Sequence, residues 1–369
     1  MRIRVDKSDF LYKQLYHSLI KKIAAGEYPN GSRLPSESLL QAKYQVSSIT
    51  VKKSLELLSE EGYICRIPGR GTFVRDQIPG TKQPPLKIGA VLEHVSTPFG
   101  LEMMYRMDLA AEKAGFRFLF RFSYGDQKKE MSEIAFLIRE GVSGLIIMPS
   151  HGYHYNTEIL KLVVNKFPLV LVDKRLDGIP VPSVRTDNFG ASALLVRHLI
   201  GNGCKNISFV TYQKSGATSL EEREEGFFGQ LKKLHASAVE ECEIPALHDS
   251  DMIGNASEKD TIEFIRDYLL KTKNILDGVI CMEYGIIPPF LLAAKAADVR
   301  IGNRPGQLKV CCFDEDYLAP AGFYLTHVKQ DERKIAEKSV SILTAQINGE
   351  KNIAEDYKIP AVFHQGFTT

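Results

Sequence analysis

From Lys87 onward the chain alternates short β-branched runs with helix-length amphipathic runs, and few architectures accept that alternation. The strand-like runs are Lys87–Leu92, Arg117–Phe122, Gly144–Met148, Pro168–Val172, Asn206–Thr211, Gly278–Met282, Leu308–Phe313 and Tyr324–Lys329. Between them, apolar residues at 103, 104, 107, 110, 111 and 114 repeat at helical spacing, and Ala191–Ile200 and Lys334–Ile347 behave alike. Strand–helix repetition of this kind predicts parallel sheets covered by helices. Its extent, about 280 residues, exceeds one comfortable doubly wound domain, so the pattern predicts two lobes.

The first 76 residues follow a different rule. They carry a net charge of +5, whereas the whole chain carries only +2. A basic segment on a slightly acidic remainder points to a polyanionic partner. Phe10–Ala25 has apolar residues at 11, 15, 19, 20 and 23, with Ser8 and Asp9 as candidate caps and a stop at Gly26. Ser36 caps a second helix, Glu37–Tyr44. Ser47 caps a third, with Val51, Leu55 and Leu58 as its buried stripe and Gly62 as its end. Tyr63–Ile67 and Thr72–Val74 then read as two strands around a glycine-rich, basic tip, Pro68-Gly-Arg-Gly.

Helix, helix-turn-helix and hairpin make a winged helix-turn-helix, an α+β head suited to duplex DNA. Ser47, Ser48 and Thr50 stand where hydroxyls can bond phosphates or base edges, and Ser36 heads the preceding helix. Lys52 and Lys53 neutralise phosphate, and Arg33 is placed to clamp one. Gly69 lets the wing approach the sugar–phosphate rail, and Arg70 is placed to enter a minor groove. Residues 77–86 hold three prolines and a glycine and read as a linker. The chain therefore divides into a head (1–76), a linker (77–86) and a body (87–369).

The head resembles the GntR family of bacterial winged-helix regulators. The resemblance lies in Gly26-Glu-Tyr-Pro-Asn-Gly-Ser-Arg-Leu-Pro-Ser-Glu, Tyr44-Gln-Val-Ser-Ser-Ile-Thr-Val-Lys-Lys-Ser-Leu, Glu61-Gly-Tyr-Ile and Gly69-Arg-Gly-Thr-Phe-Val. Ser48 stands where that family usually has Arg, and Lys52 where Arg is common, which weakens bidentate reading of guanine.

The body resembles the LacI/GalR family of sugar-sensing repressors, whose regulatory part is like a type-I periplasmic binding protein. The pieces are Lys87-Ile-Gly-Ala-Val-Leu, Ser96-Thr-Pro-Phe, Val142-Ser-Gly-Leu-Ile-Ile, Pro168-Leu-Val-Leu-Val-Asp-Lys, Val184-Arg-Thr-Asp-Asn-Phe-Gly, Arg223-Glu-Glu-Gly-Phe, Asp277-Gly-Val-Ile-Cys-Met-Glu, Cys312-Phe-Asp-Glu and Thr326-His-Val-Lys-Gln, in that order. The resemblance implies two α/β lobes with a ligand cleft between them. It implies Phe99 as a ligand-facing aromatic, Arg223 as a donor to ligand hydroxyls with Ser219 in the loop before it, and Asp314 as a bidentate acceptor. Glu283 stands where the family usually has Asn, and Lys174 and Arg175 follow Asp173 at a strand end facing the cleft. Glu93 and His94 follow the first strand as further cleft candidates, while Asp187-Asn188 reads as a helix cap.

Other classes lack their signatures. The start has no apolar segment of a secretory signal, and no run approaches the ~20 residues of a membrane span. The six cysteines form no metal-ligand spacing and read as buried thiols, so no metal and no cofactor is expected. No Gly-x-Gly-x-x-Gly, Gly-x-Ser-x-Gly or His-Glu-x-x-His occurs, so the chain is not expected to be an enzyme. The expectation is a cytoplasmic, homodimeric repressor of carbohydrate-use genes that binds operator double-stranded DNA and is released by a sugar, a pentose such as arabinose being preferred. The alternatives are a regulator sensing a nucleoside or purine, and a transport-associated sugar-binding protein.

Overall fold

The computed structural model describes residues 11–29, 31–67, 70–75, 86–93, 95–150, 156–213, 216–245, 256–315, 324–350 and 356–369. The chain divides into two units, residues 1–85 and 86–369. Residues 77–85 of the expected linker, the candidate caps Ser8 and Asp9, and the candidate site residues Gly69 and His94 lie outside the described residues.

In the first unit, helix α1 (Leu11–Ala24) buries Leu15, Leu19 and Ile23, one face at helical spacing. Helix α2 (Glu37–Tyr44) starts at Ser36, whose side chain accepts from the Leu39 amide, and turns at Gln45 in a left-handed conformation. Helix α3 (Ser48–Glu60) buries Val51, Ser54, Leu55 and Leu58. The Ser54 hydroxyl lies 2.7 Å from the Tyr12 carbonyl, so a small polar residue in the stripe ties α3 to α1. Strands β1 (Ile64–Ile67) and β2 (Gly71–Val74) pair antiparallel, Ile64 opposite Val74. Ile64 and Val74 join Leu34, Leu40 and Tyr44 in one apolar core with the helix stripes.

The second unit contains two sheets. The first holds β3 (Lys87–Leu92), β4 (Arg117–Phe122), β5 (Leu145–Ile147), β6 (Leu169–Val172), β7 (Ser183–Thr186) and β14 (Asp356–Ile359) in the order β14-β7-β6-β5-β3-β4, all parallel. The second holds β8 (Asn206–Tyr212), β10 (Cys242–Ile244), β11 (Gly278–Cys281), β12 (Lys309–Phe313), β13 (Thr326–Lys329) and β15 (Val362–His364) in the order β10-β8-β11-β12-β13-β15. Short β9 (Ser237–Ala238) pairs with β8, and β15 is antiparallel to β13. Each lobe thus repeats a doubly wound order, in which ligands bind beyond the carboxyl ends of the strands at the reversal point.

Helices α4 (Leu101–Lys113) and α11 (Glu332–Ile347) cover one face of the first sheet, α5 (Gln127–Arg139) and α6 (Thr157–Val164) the other. In the second lobe, α9 (Ala256–Thr272) and α10 (Ile287–Ala296) lie on one face, α7 (Asn188–Gly201) and α8 (Thr218–Leu234) on the other. The chain passes between lobes three times: from β7 to α7, from β13 to α11 and from β14 to β15.

Strands β7, β10, β14 and β15 have no counterpart among the runs read from the sequence. Ser183-Val-Arg-Thr is buried at all four positions although three are polar. Its Arg185 is 1% exposed and reaches Asp356 of β14 through Nε at 2.9 Å and Nη2 at 2.8 Å, with Nη1 on Glu222 of α8. Arg175 and Lys358 stand 3.9 and 3.8 Å from the other Glu222 oxygen, so a second-lobe carboxylate is held by first-lobe cations. Removing one member of a buried ion pair leaves an uncompensated charge. We therefore expect Arg185→Met to destabilise the body by about 3 kcal/mol, read as a lower urea midpoint in circular dichroism. An unchanged midpoint would show that the two carboxylates hold without it.

Candidate functional site

On the head, the N-terminus of α3 is the exposed end of the helix-turn-helix. Ser47 accepts from the Thr50 amide at 3.2 Å, and the two hydroxyls lie 2.9 Å apart. Ser47 is thus the cap its spacing predicts, and both hydroxyls, also expected to face DNA, bond within that cap. Ser48 is exposed. Lys52 is exposed and, among the described residues, has no ion-pair partner. Lys53 lies over the Tyr12 ring, 4.4 Å from its centroid, and so also braces α1. Arg33 bridges to Phe73 of the wing. Its guanidinium rests on Gly71, where an added Cβ would meet Arg33 Nε at 2.6 Å and the backbone φ is +120°. Glycine there seats the arginine against the wing. Ser36 is taken up by its cap, and Arg70 stays exposed.

In the body, the predicted ligand residues gather at carboxyl ends of strands. In the first lobe, Lys174 is 5% exposed; its ammonium donates to Glu93 and, at 3.1 Å, to the Pro149 carbonyl. In the second lobe, Arg223 is 4% exposed, with its guanidinium 4.0 Å from the Phe313 ring centroid. Its Nε donates to Asn188 Oδ1 at 2.8 Å and its Nη1 to the Met282 carbonyl. Asp314 accepts from the Gln330 amide at 3.0 Å and the Gln330 side chain at 2.7 Å. Burial raises its carboxyl, and these bonds with the nearby Arg223 charge oppose the rise.

Thr186 donates to Gln330 at 2.7 Å, and Asn188 donates to the Thr186 carbonyl at 3.3 Å. A continuous polar chain therefore runs Arg223, Asn188, Thr186, Gln330, Asp314, with its middle three members at the crossings between lobes. Asp187, as predicted, caps α7 by accepting from Gly190 at 3.0 Å. From the sequence Asn188 reads as part of a helix cap and Gln330 as the end of a family-like strand, and neither reads as a bridge, because their partners lie 35 and 144 residues away.

The other predicted residues are spread over both lobes. Phe99 is half-buried on the first-lobe core, and its carbonyl accepts from Ser96 at 2.9 Å. Arg175 pairs with Asp177 at 2.7 Å, and its amide donates to Thr218 of the second lobe at 3.3 Å. Ser219 is buried in the first turn of α8. Glu283 follows β11 and, secondary to burial, helps push Tyr212 up to about 12. A cavity of about 660 Å³ lined by Lys273, Arg300 and Lys309 lies at the opposite, amino-terminal end of the second sheet, beside the ends of α9 and α10, and belongs to neither site.

Sequence reasoning passed over Glu332. The N-cap of α4, Gly100, has no side chain to cap it, and Glu332 Oε2 accepts instead from Gly100 at 2.7 Å and Met103 at 3.0 Å. The second crossing is thereby bonded to the loop that carries Phe99. Burial pushes this carboxyl up to about 7, the two amides and nearby Asp314 and Glu102 acting in opposite directions.

The arrangement defines a class: a winged-helix head joined to a two-lobed, periplasmic-binding-protein-like body. Residues 11–74 match the bacterial regulatory proteins of the gntR family. Residues 85–256 match the periplasmic binding proteins and sugar binding domain of the LacI family, and residues 196–369 a periplasmic binding protein-like domain. The chain thus joins a gntR-family domain to a LacI-type periplasmic-binding-protein-like domain. It is 28% identical to the arabinose metabolism transcriptional repressor of Geobacillus stearothermophilus over 53% of this chain and 55% of that protein, little more than half its length. It is 24% identical to the probable HTH-type transcriptional regulator EndR of Paenibacillus polymyxa over 88% of this chain and 90% of that one. The transcription regulator CcpA of Lactococcus lactis shares the fold with a TM-score of 0.63 at 19% identity, over 77% of this chain and 99% of that structure. Among the described residues no helix is long and apolar enough to cross a membrane.

Glu332 gives a pH signature. Its proton is held to about pH 7 in the folded chain against 4.5 ordinarily, so the folded state binds more protons between those values. Stability is full below about pH 4.5 and is lost as pH rises through 7. Glutamine keeps an acceptor for the two amides without a charge. We expect Glu332→Gln to be more stable than the parent by roughly 3 kcal/mol at pH 8, with the gap closing toward pH 4.5. Denaturation series at both pH values measure it, and a pH-independent gap would contradict it.

Proposed function

We propose that this chain is a DNA-binding transcription regulator that represses carbohydrate-use genes and is released by a sugar. The observation that carries the reading is the polar chain from Arg223 to Asp314 through two of the three crossings. A polyhydroxylated ligand entering between the lobes meets a guanidinium and a carboxylate whose present bonds hold the hinge. A bond made to the ligand changes the bonds available to Asn188 and Gln330, and so biases the lobes. An aromatic such as Phe99 suits one apolar sugar face, and the charged groups of Arg223 and Asp314 suit its hydroxyls.

A pentose such as arabinose is the effector we favour, on the likeness to the arabinose repressor. The partners are operator DNA and a second copy of the chain, each winged head taking one half-site about one helical turn, or a multiple, from the other. The chain acts as a regulator in the cytoplasm and not as an enzyme. The DNA role of the predicted head residues rests on Ser48, Lys52, Arg33, Gly69 and Arg70, with Ser36, Ser47 and Thr50 shaping the helix starts and Lys53 shared with Tyr12.

Two measurements test the reading. Calorimetry against a monosaccharide panel should find a binder, and Arg223→Ala and Asp314→Ala should each weaken it by more than tenfold, the scale of one charged hydrogen bond. Normal binding by both variants would place the ligand elsewhere. In mobility shifts across salt, Lys52→Ala should flatten the slope by about one counterion. An unchanged slope would remove α3 from the phosphate contacts.

A further inference from the structure

The first turn of α3 carries an anomaly that neither folding nor phosphate binding explains. Ile49 is 78% exposed, and among the described large apolar side chains only Val164, at 80%, exceeds it. Its position on the helix is opposite the stripe of Val51, Leu55 and Leu58, which is fully buried. At spacings of three, four and seven it shares a face with Lys52, Lys53 and Glu56, all exposed. An isoleucine there gives the head core nothing.

The neighbouring side chains narrow what this face can read. Ser47 and Thr50 bond each other and the cap, and Lys53 lies on Tyr12. Ser48 and Ile49 remain as the forward-facing residues of the turn, with Lys52 behind them to reach phosphate. Isoleucine has no donor or acceptor, so it can select a base pair only by apolar contact. The major-groove edges offer one apolar group, the thymine 5-methyl.

We propose that Ile49 is a specificity-determining residue that packs on a thymine 5-methyl group in each operator half-site. The assignment rests on the DNA-binding reading above and adds what the helix reads. It also fits the absence of arginine at position 48: a turn with serine and isoleucine is built to read an A·T pair by its methyl and not guanine by a guanidinium fork.

The test begins with the full-length chain and a random duplex pool, from which bound sequences are enriched. Each enriched thymine is then replaced singly by uracil, which removes the methyl and leaves every hydrogen-bonding group of the base. For the parent protein, one replacement per half-site should weaken binding about fourfold, the worth of one buried methyl. Ile49→Ala should bind the thymine and uracil duplexes within about twofold of each other, while Ile49→Val, which keeps a branched apolar tip, should retain most of the discrimination. Lys52→Ala should weaken every duplex alike and keep it. A parent protein indifferent to uracil at all positions, or an Ile49→Ala variant that still discriminates, overturns the assignment while leaving the DNA-binding reading intact. A pool with no enrichment overturns both. Because Ile49 is exposed and packs on nothing in the head core, its variants should fold as the parent does, and an unchanged circular dichroism melt verifies that.

Discussion

Buried polar groups have to be paired, and in this body that requirement falls on two of the three places where the chain passes between lobes. A covalent crossing cannot be covered by either sheet alone, so its side chains meet both. Here the sequence answers with Thr186, Asn188 and Gln330, each bonded to something in another segment. Leaving one such group without its partner costs about 1–3 kcal/mol. The hinge is therefore held in a fully bonded arrangement, and any other arrangement has to pair the same groups again.

The two lobes solve their switch-point geometry in the same way. Asp173 follows β6 and Asp314 follows β12, the fourth strand across each sheet counted from β4 and from β10. Both have left-handed backbones, with φ of 66° and 64°, and both amides donate to the next strand, at Val184 and Val328. Left-handed aspartate is uncommon, and its cost is accepted where the carboxylate must turn into the cleft. The difference lies in what faces each one. Lys174 beside Asp173 is consumed by Glu93, whereas Asp314 sits near Arg223 and against Gln330.

Much of this was legible in the chain. The strand runs between 87 and 329 and the three head helices follow periodicity that local physics enforces, and Ser36, Ser47 and Asp187 are the caps their spacing suggests. What was not legible depends on distant partners. Ser183-Val-Arg-Thr does not read as a buried strand, because Arg185 becomes buriable only when Asp356, 171 residues away, supplies two oxygens. Glu332 as the cap of α4 spans 232 residues to Gly100. Ser47 reads both as a cap and as a DNA contact, and Thr50 as a DNA contact, because residue type alone cannot tell a cap hydroxyl from a phosphate donor. Local pattern determines elements; burial of charge is decided by topology.

A ligand acts on such a body only through the difference in its affinity for the two hinge arrangements. The crossings set an upper scale for that difference. If a sugar hydroxyl replaces Asn188 as the acceptor from Arg223, or Gln330 as the donor to Asp314, the displaced amide must rebond within the hinge or remain unpaired. One or two such exchanges amount to about 1–3 kcal/mol each, which matches the coupling needed to change DNA affinity severalfold to a hundredfold. The ion cluster of Arg185, Glu222 and Asp356 works against wide excursions, since opening the lobes there would separate Glu222 from its cations. On the proposed function, effector response is a rearrangement among bonded states at the crossings, and the ion cluster of Arg185, Glu222 and Asp356 opposes separation of the lobes.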